Sequence, residues 1–152
     1  MEQTFILLKP DCMERRLAGR VIARFEDKGL MIVAMKLLRV TPELARRHYA
    51  EHVEKAFYPG LETFITSGPV LAMVVEGLEA VAVARNLAGA TNGRNAEPGT
   101  IRGDFSISQQ LNLVHASDSP ESARREINMF FRHEEILPHT PALFPWLRAP
   151  NE

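Results

Sequence analysis

Cysteine is nearly missing from these 152 residues: Cys12 stands alone. No intrachain disulfide can form, which fits a reducing compartment and sets the expectation of a cytoplasmic protein. Long apolar runs are missing too. The longest, such as Val70 to Val75, covers six residues, whereas a membrane helix needs about 20. The opening MEQTFILLKP has no basic stretch ahead of its apolar residues, so it reads as a strand and not as a secretory signal. Neither sign of charge dominates. A formal net charge of -1 gives no global field for nucleic acid or an acidic membrane. Gly-x-x-x-x-Gly-Lys-Ser/Thr and Gly-x-Gly-x-x-Gly are both absent, so any bound phosphate must be held by side chains. Without a Gly-x-Ser-x-Gly elbow, serine-hydrolase chemistry has no support.

What is present suits one globular domain, with 45% hydrophobic and 24% charged residues. Thr4 to Leu8 reads as a strand. Leu17, Val21 and Phe25 form the stripe of a helix over Arg16 to Lys28, which Gly29 closes. Leu30 to Val40 reads as a second strand. Thr41 caps a helix with Pro42 at its first position, and that helix is expected to carry Tyr49 and His52. A further helical piece covers about Gly60 to Thr66, a third strand Pro69 to Glu76, and a short helix Leu78 to Leu87. Gly89 to about Gln110 has little periodicity and reads as a long irregular, functional loop. Leu113 to His115 is a short fourth strand, and Ser119-Pro120 opens the last helix, with Ala123, Ile127 and Phe130 on its apolar side. The tail, 137–152, is expected to be extended. This order predicts an α+β ferredoxin-like βαββαβ sandwich: a four-stranded antiparallel sheet covered by helices on one face.

His115 sits where a strand gives way to a helix start, Ser117-Asp118-Ser119-Pro120. Free N–H groups and the positive helix end attract anions, phosphate in particular. An unperturbed imidazole titrates near about 6.5, so a neutral ring has a lone pair with which to attack at pH 7. The place suits a nucleophile that meets a phosphoryl group. Lys9, Arg85 and Arg102 are the candidate cations; singly, each reads first as a solvated charge. HYAEH, His48 to His52, matches a His-x-x-Glu-His zinc pattern. It would need a third ligand from elsewhere and a protease-sized fold, so His48 is read as a surface histidine one turn from His52.

NLVHASDS resembles the active-site signature of nucleoside diphosphate kinases, whose usual form is Asn-x-x-His-Gly-Ser-Asp. TFILLKPD, ARFEDKGLMIVAMKLL, HYAEH followed by AFYPGL, FITSGPVLAMVVEGLEAV, GATN…PGTIRGDF and SPESARREINMFF continue the similarity to about residue 136. The resemblance implies a kinase that transfers the γ-phosphate of ATP to nucleoside diphosphates by a ping-pong route through a phosphohistidine. It implies that His115 is the phosphorylated residue, oriented by Ser117 and Glu126. It implies that Lys9, Tyr49, Arg85, Thr91, Arg102 and Asn112 hold phosphates and ribose, that His52 reaches the phosphates as in many members, and that Phe57 stacks on the base. It implies Mg²⁺ held by the nucleotide's phosphates and water, with Asp118 assisting through water and no direct protein ligand. It further implies a homo-oligomer, hexameric or tetrameric, in which Gly89 to Phe105 adds a contact in a hexamer.

Four positions depart from the pattern. Ala116 replaces a glycine, a mild change if it lies in a strand. Gln109 stands where an apolar residue commonly flanks the base. Ala56 and Gly93 replace prolines, which could loosen their segments. A catalytically silent nucleotide-binding module on the same fold is the competing reading. It calls for a damaged site, and His115, Lys9, Arg102 and Asn112 are all present.

Overall fold

The computed structural model describes residues 1–152. Strands β1 (Glu2–Leu8), β2 (Met31–Arg39), β3 (Pro69–Gly77) and β4 (Val114–Ala116) form one sheet in the order β2-β3-β1-β4, with every neighbouring pair antiparallel. Between them run α1 (Pro10–Glu14), α2 (Ala18–Asp27), α3 (Pro42–His48), α4 (Tyr58–Ile65), α5 (Ala80–Ala88), α6 (Ile101–Phe105) and α7 (Pro120–Phe130). This is the expected ferredoxin-like sandwich.

Strand side chains alternate, and each set finds its own core. Ile6, Leu8, Met73, Val75, Val114 and Ala116 pack with Val21 and Phe25 of α2 and Ala80, Ala84 and Ala88 of α5. Phe5, Leu7, Val70, Ala72 and Val74 pack on the other side with Ala45, Ile65, Ile127 and Phe130. Helices α3, α4 and α7 therefore cover the face that the simple sandwich leaves open. The reason is compositional: both faces of β1 and β3 are apolar, and a sheet apolar on both faces must be covered twice.

Other expectations need correction. The helix that begins at Thr41 ends at His48. Tyr49 is its C-cap, and His52 lies on a separate 3₁₀ turn, Ala50–His52. The long irregular segment is partly ordered, with a 3₁₀ turn at Gly93–Asn95 and α6 within it. The Thr100 hydroxyl accepts from the Gly103 N–H at 3.0 Å and starts α6, so a glycine-containing pentapeptide is helical through its cap and its surroundings. Gly93 does not loosen the segment. A Cβ there would lie 2.3 Å from the Ser106 carbonyl oxygen, and the Gly93 N–H donates to Ser108 O at 3.0 Å, a bond proline would forfeit. The tail is not simply extended: it makes a 3₁₀ turn at Phe144–Trp146, and the Leu137 N–H donates to Val33 O at 2.8 Å, beside the irregularity in β2.

Candidate active site

Antiparallel pairing places His115 opposite Leu7, so its side chain points to the face covered by α3 and α7. Ala116, next in the strand, is buried and does not have a positive φ, as a strand residue requires. Ser119 caps α7 by accepting from the Ser122 N–H at 3.0 Å. The amphipathic turn of α7 then carries Glu126 inward, where it is 3% exposed. Its carboxylate lies against the histidine: Oε2 is 2.8 Å and Oε1 3.1 Å from His115 Nε2. Buried Ser117 donates to Oε1 at 2.6 Å and accepts from the Phe5 N–H at 3.3 Å. Burial alone would raise the Glu126 carboxyl. The hydrogen bonds from His115 and Ser117 and the nearby histidine charge outweigh it and hold the group below its ordinary value. A carboxylate can only accept, so Nε2 must carry the proton. In the neutral form of the ring, Nδ1 is then the nitrogen with a free lone pair.

His115 opens on a polar recess of about 140 Å³ shared with Tyr49, His52, Asp118, Ser122 and Arg125. Beside it runs a larger groove of about 710 Å³, lined by Lys9, Phe57, Leu61, Thr91, Gln109 and Asn112 among others. Phe57 is 56% exposed, an aromatic face turned to solvent at the groove mouth. His52 stands 5.5 Å from the Phe57 ring and near the Lys55 ammonium. Gln110 lies across from them, its amide reaching Gly60 O at 3.5 Å.

A polar frame holds the groove floor. Lys9 Nζ donates to Asn112 Oδ1 at 2.8 Å, and Asn112 Nδ2 donates to Thr91 O at 2.8 Å. Arg102 donates to the carbonyls of Gly89, Asn112 and Val114 at 2.5–3.2 Å, tying the loop before α6 to β4. Leu113 has φ +72°, an uncommon conformation for a branched residue. It is fixed from both sides: its N–H donates to Asp11 Oδ2 at 3.1 Å and its carbonyl accepts from the Lys9 N–H at 2.8 Å. Burial lowers the Lys9 ammonium to about 8, with the Arg102 charge adding to the effect. Burial likewise lowers Arg102 to about 10 with help from Arg85.

Most residues singled out in the sequence converge here. Arg85, Arg102 and Ser117 line neither the recess nor the groove. Arg85 donates to the Ala116 carbonyl at 3.2 Å and, with Asp118, lines a separate hollow at the start of α7. Tyr49 does meet the recess, with its hydroxyl buried and unpartnered, and burial pushes that phenol well above its usual range.

His48 is the clear miss, since it is not a surface residue. Its side chain is 2% exposed and its ring centroid is 4.8 Å from that of His115. Ala45, three residues earlier on the same face of α3, is fully buried. That i, i+3 relation was the available signal.

Comparison with known proteins gives one consistent result. The family model described as nucleoside diphosphate kinase matches residues 2–136. A nucleoside diphosphate kinase of Rhodopirellula baltica is 60% identical over 152 residues, all of both chains. One of Thermosynechococcus vestitus is 56% identical over 97% of this chain and 98% of its own. The solved structure of a halophilic nucleoside diphosphate kinase from Halobacterium salinarum, in complex with CDP, superposes with TM-score 0.94 at 45% identity, covering 97% of this chain and 98% of that one.

Proposed function

The chain belongs to the nucleoside diphosphate kinase family, a family of phosphotransferase enzymes, and from that premise we propose how its own residues perform the transfer. The observation that carries the reading is the His115–Glu126 pair beside the recess: with the proton on Nε2 facing the carboxylate, Nδ1 of the neutral ring is the nitrogen left to attack. In the first half-reaction Nδ1 attacks the γ-phosphorus of a nucleoside triphosphate, the bond to the bridging oxygen breaks, and the diphosphate leaves. In the second, the terminal oxygen of another nucleoside diphosphate attacks the phosphohistidine, and the electron pair returns to Nδ1. Glu126 stabilises the positive charge that grows on the ring. One groove serves donor and acceptor in turn, which is the ping-pong scheme. A coupled assay of GDP conversion to GTP at the expense of ATP tests it; no turnover would leave the silent-module reading standing.

In this reading Lys9, Thr91 and Asn112 in the groove and His52 in the recess meet the phosphates and ribose, and Arg102 supports them from behind through its bonds to three backbone carbonyls. Tyr49 lines the recess, and Arg85 has to leave the Ala116 carbonyl to reach the phosphates. Mg²⁺ fits as the nucleotide's own ion. Asp118 is a carboxylate at the recess rim that can hold a metal-bound water, and no oxygen-rich protein cage is needed. When bound, Mg²⁺ neutralises charge on the transferring phosphates. The CDP complex of the Halobacterium relative supports a nucleoside diphosphate as the occupant of the groove.

Phe57 presents a π-face that every base can stack on, so the enzyme takes many bases. Phe57→Ala should raise KM for all nucleoside diphosphates by roughly tenfold, with a smaller effect on kcat. Steady-state kinetics with GDP, CDP and UDP check this, and a loss confined to one base would contradict the stacking role.

Lys9 gives a pH signature with two opposite signs. As pH rises through about 8 its charge is lost, and nucleotide affinity should fall. Stability moves the other way. The unfolded chain keeps this proton up to about 10.5, so the cost of burying the ammonium is fully present below pH 8 and is relieved as pH climbs toward 10.5. Nucleotide titrations and denaturant melts of wild type and Lys9→Met, across that window, separate the two.

The chains associate through the open edge of β2. There Met35 is 41% and Leu37 61% exposed on an edge strand, a template for a second copy. Hexamer and tetramer are both built from such a pair. Leu37→Glu should lower the solution mass measured by light scattering, and an unchanged mass would place the contact elsewhere. No helix is long and apolar enough to cross a membrane, and a cytoplasmic location is part of this reading.

A further inference from the structure

The HYAEH stretch does not form the metal site that its spacing suggests, because His52 faces Phe57 and Lys55 while His48 turns inward. The inward turn builds a different donor set. Ligand atoms of His48, His115 and Glu126 all lie within 4.8 Å of one another. Glu126 Oε2 is 2.8 Å from His115 Nε2 and 3.7 Å from His48 Nδ1. Donors at roughly 2.0–2.2 Å from a tetrahedral ion stand about 3.4 Å apart, so these two separations need only sub-ångström adjustment. His48 supplies an independent sign. Its side chain is 2% exposed, yet neither ring nitrogen has a hydrogen-bond partner. Such a group is rare unless something else satisfies it.

We propose that His48, His115 and Glu126 form an inhibitory site for a borderline divalent transition metal of the Zn²⁺ class. Two histidines and one glutamate with an open fourth position are a zinc-type set. Mg²⁺, which demands oxygen ligands, does not compete for it. The metal takes the Nε2 lone pair of His115 and one Glu126 oxygen. The proton that Nε2 held moves to Nδ1, so the ring remains neutral and no proton is lost. The Nδ1–H tautomer has no lone pair for phosphorus. This inhibition rests on His115 being the phosphoryl carrier, whereas metal binding does not.

Co²⁺ added to metal-free protein without nucleotide tests the site directly. One equivalent should give the intense visible bands of a four-coordinate centre, and Zn²⁺ should bleach them. In the same wild-type protein, Zn²⁺ should shift the ring ¹⁵N signals of His48 and His115 and leave those of His52, His133 and His139 in place. His48→Phe should abolish the bands, and His52→Gln should keep them. Weak octahedral spectra, shifts confined to the other histidines, or bands that persist in His48→Phe would overturn the site. Zn²⁺-loaded protein should lose the phosphohistidine label obtained from γ-labelled ATP. Bands with labelling intact would overturn the inhibition. Zn²⁺-free protein that never labels even with Mg²⁺ present would instead count against the kinase reading and leave the spectral result to stand by itself.

Discussion

His115→Ala should abolish transfer, with kcat for GDP phosphorylation falling by about 10⁴-fold or more, because no other group can take the phosphoryl in the first half-reaction. The alternatives in the recess are poor. His48 is buried and turned toward Glu126, and His52 is displaced toward Phe57. The fold should tolerate the change, since the imidazole is only partly buried at the recess and the core neighbours Val114 and Ala116 are untouched. Incubation with γ-labelled ATP checks the assignment. Wild type should take up label that is lost in acid and kept in base, and the variant should take up none. Label surviving in the variant would remove His115 from the mechanism. Nucleotide affinity should be almost unchanged, because Lys9, Asn112 and Phe57 remain.

Glu126→Gln should cost about 10³-fold in kcat while leaving KM nearly intact, through proton placement and not through lost contact. The direction of the amide follows from its neighbours. Ser117 accepts from the Phe5 N–H and spends its own proton on the Glu126 oxygen at 2.6 Å. The variant's carbonyl therefore stays at Ser117, and its NH₂ faces His115 Nε2. A donor there forces Nε2 to accept, and the ring proton moves to Nδ1, the atom that must attack. Ring ¹⁵N shifts should report the exchanged tautomer, and Glu126→Asp should recover part of the rate. A variant with normal kcat, or one with the original tautomer, would show that the carboxylate does not set the proton.

The strands were legible because alternation along β1 and β3 gives two apolar faces over a few residues, a strictly local signal. Thr41 and Ser119 announced α3 and α7 for the same reason, each hydroxyl bonding a backbone N–H three residues on. Helices α1 and α6 were not legible. Each is five residues long, and their order depends on partners far away in sequence: Arg15 donates to Phe105 O, and Arg24 pairs with Asp104. In the site, His115, Ser117 and Glu126 could be recognised from one contiguous signature. The inward turn of His48 could not, since a histidine on an amphipathic helix reads as polar until the helix is docked. The resting place of Arg85 on the Ala116 carbonyl is likewise a tertiary fact.

The short β4 strand has one more implication. Its three residues alternate between the two sides of the sheet, with Val114 and Ala116 in one core and His115 across from Leu7 on the other side. Sliding this segment by a single step would drive the imidazole into the opposite core and move Val114 to the site face. Catalytic competence is thus a matter of parity. The unusual twist at Leu113 and the clasp of Ser117 on Phe5 bracket the strand and lock the odd-numbered alignment, so damage to either clasp would silence the protein without unfolding it.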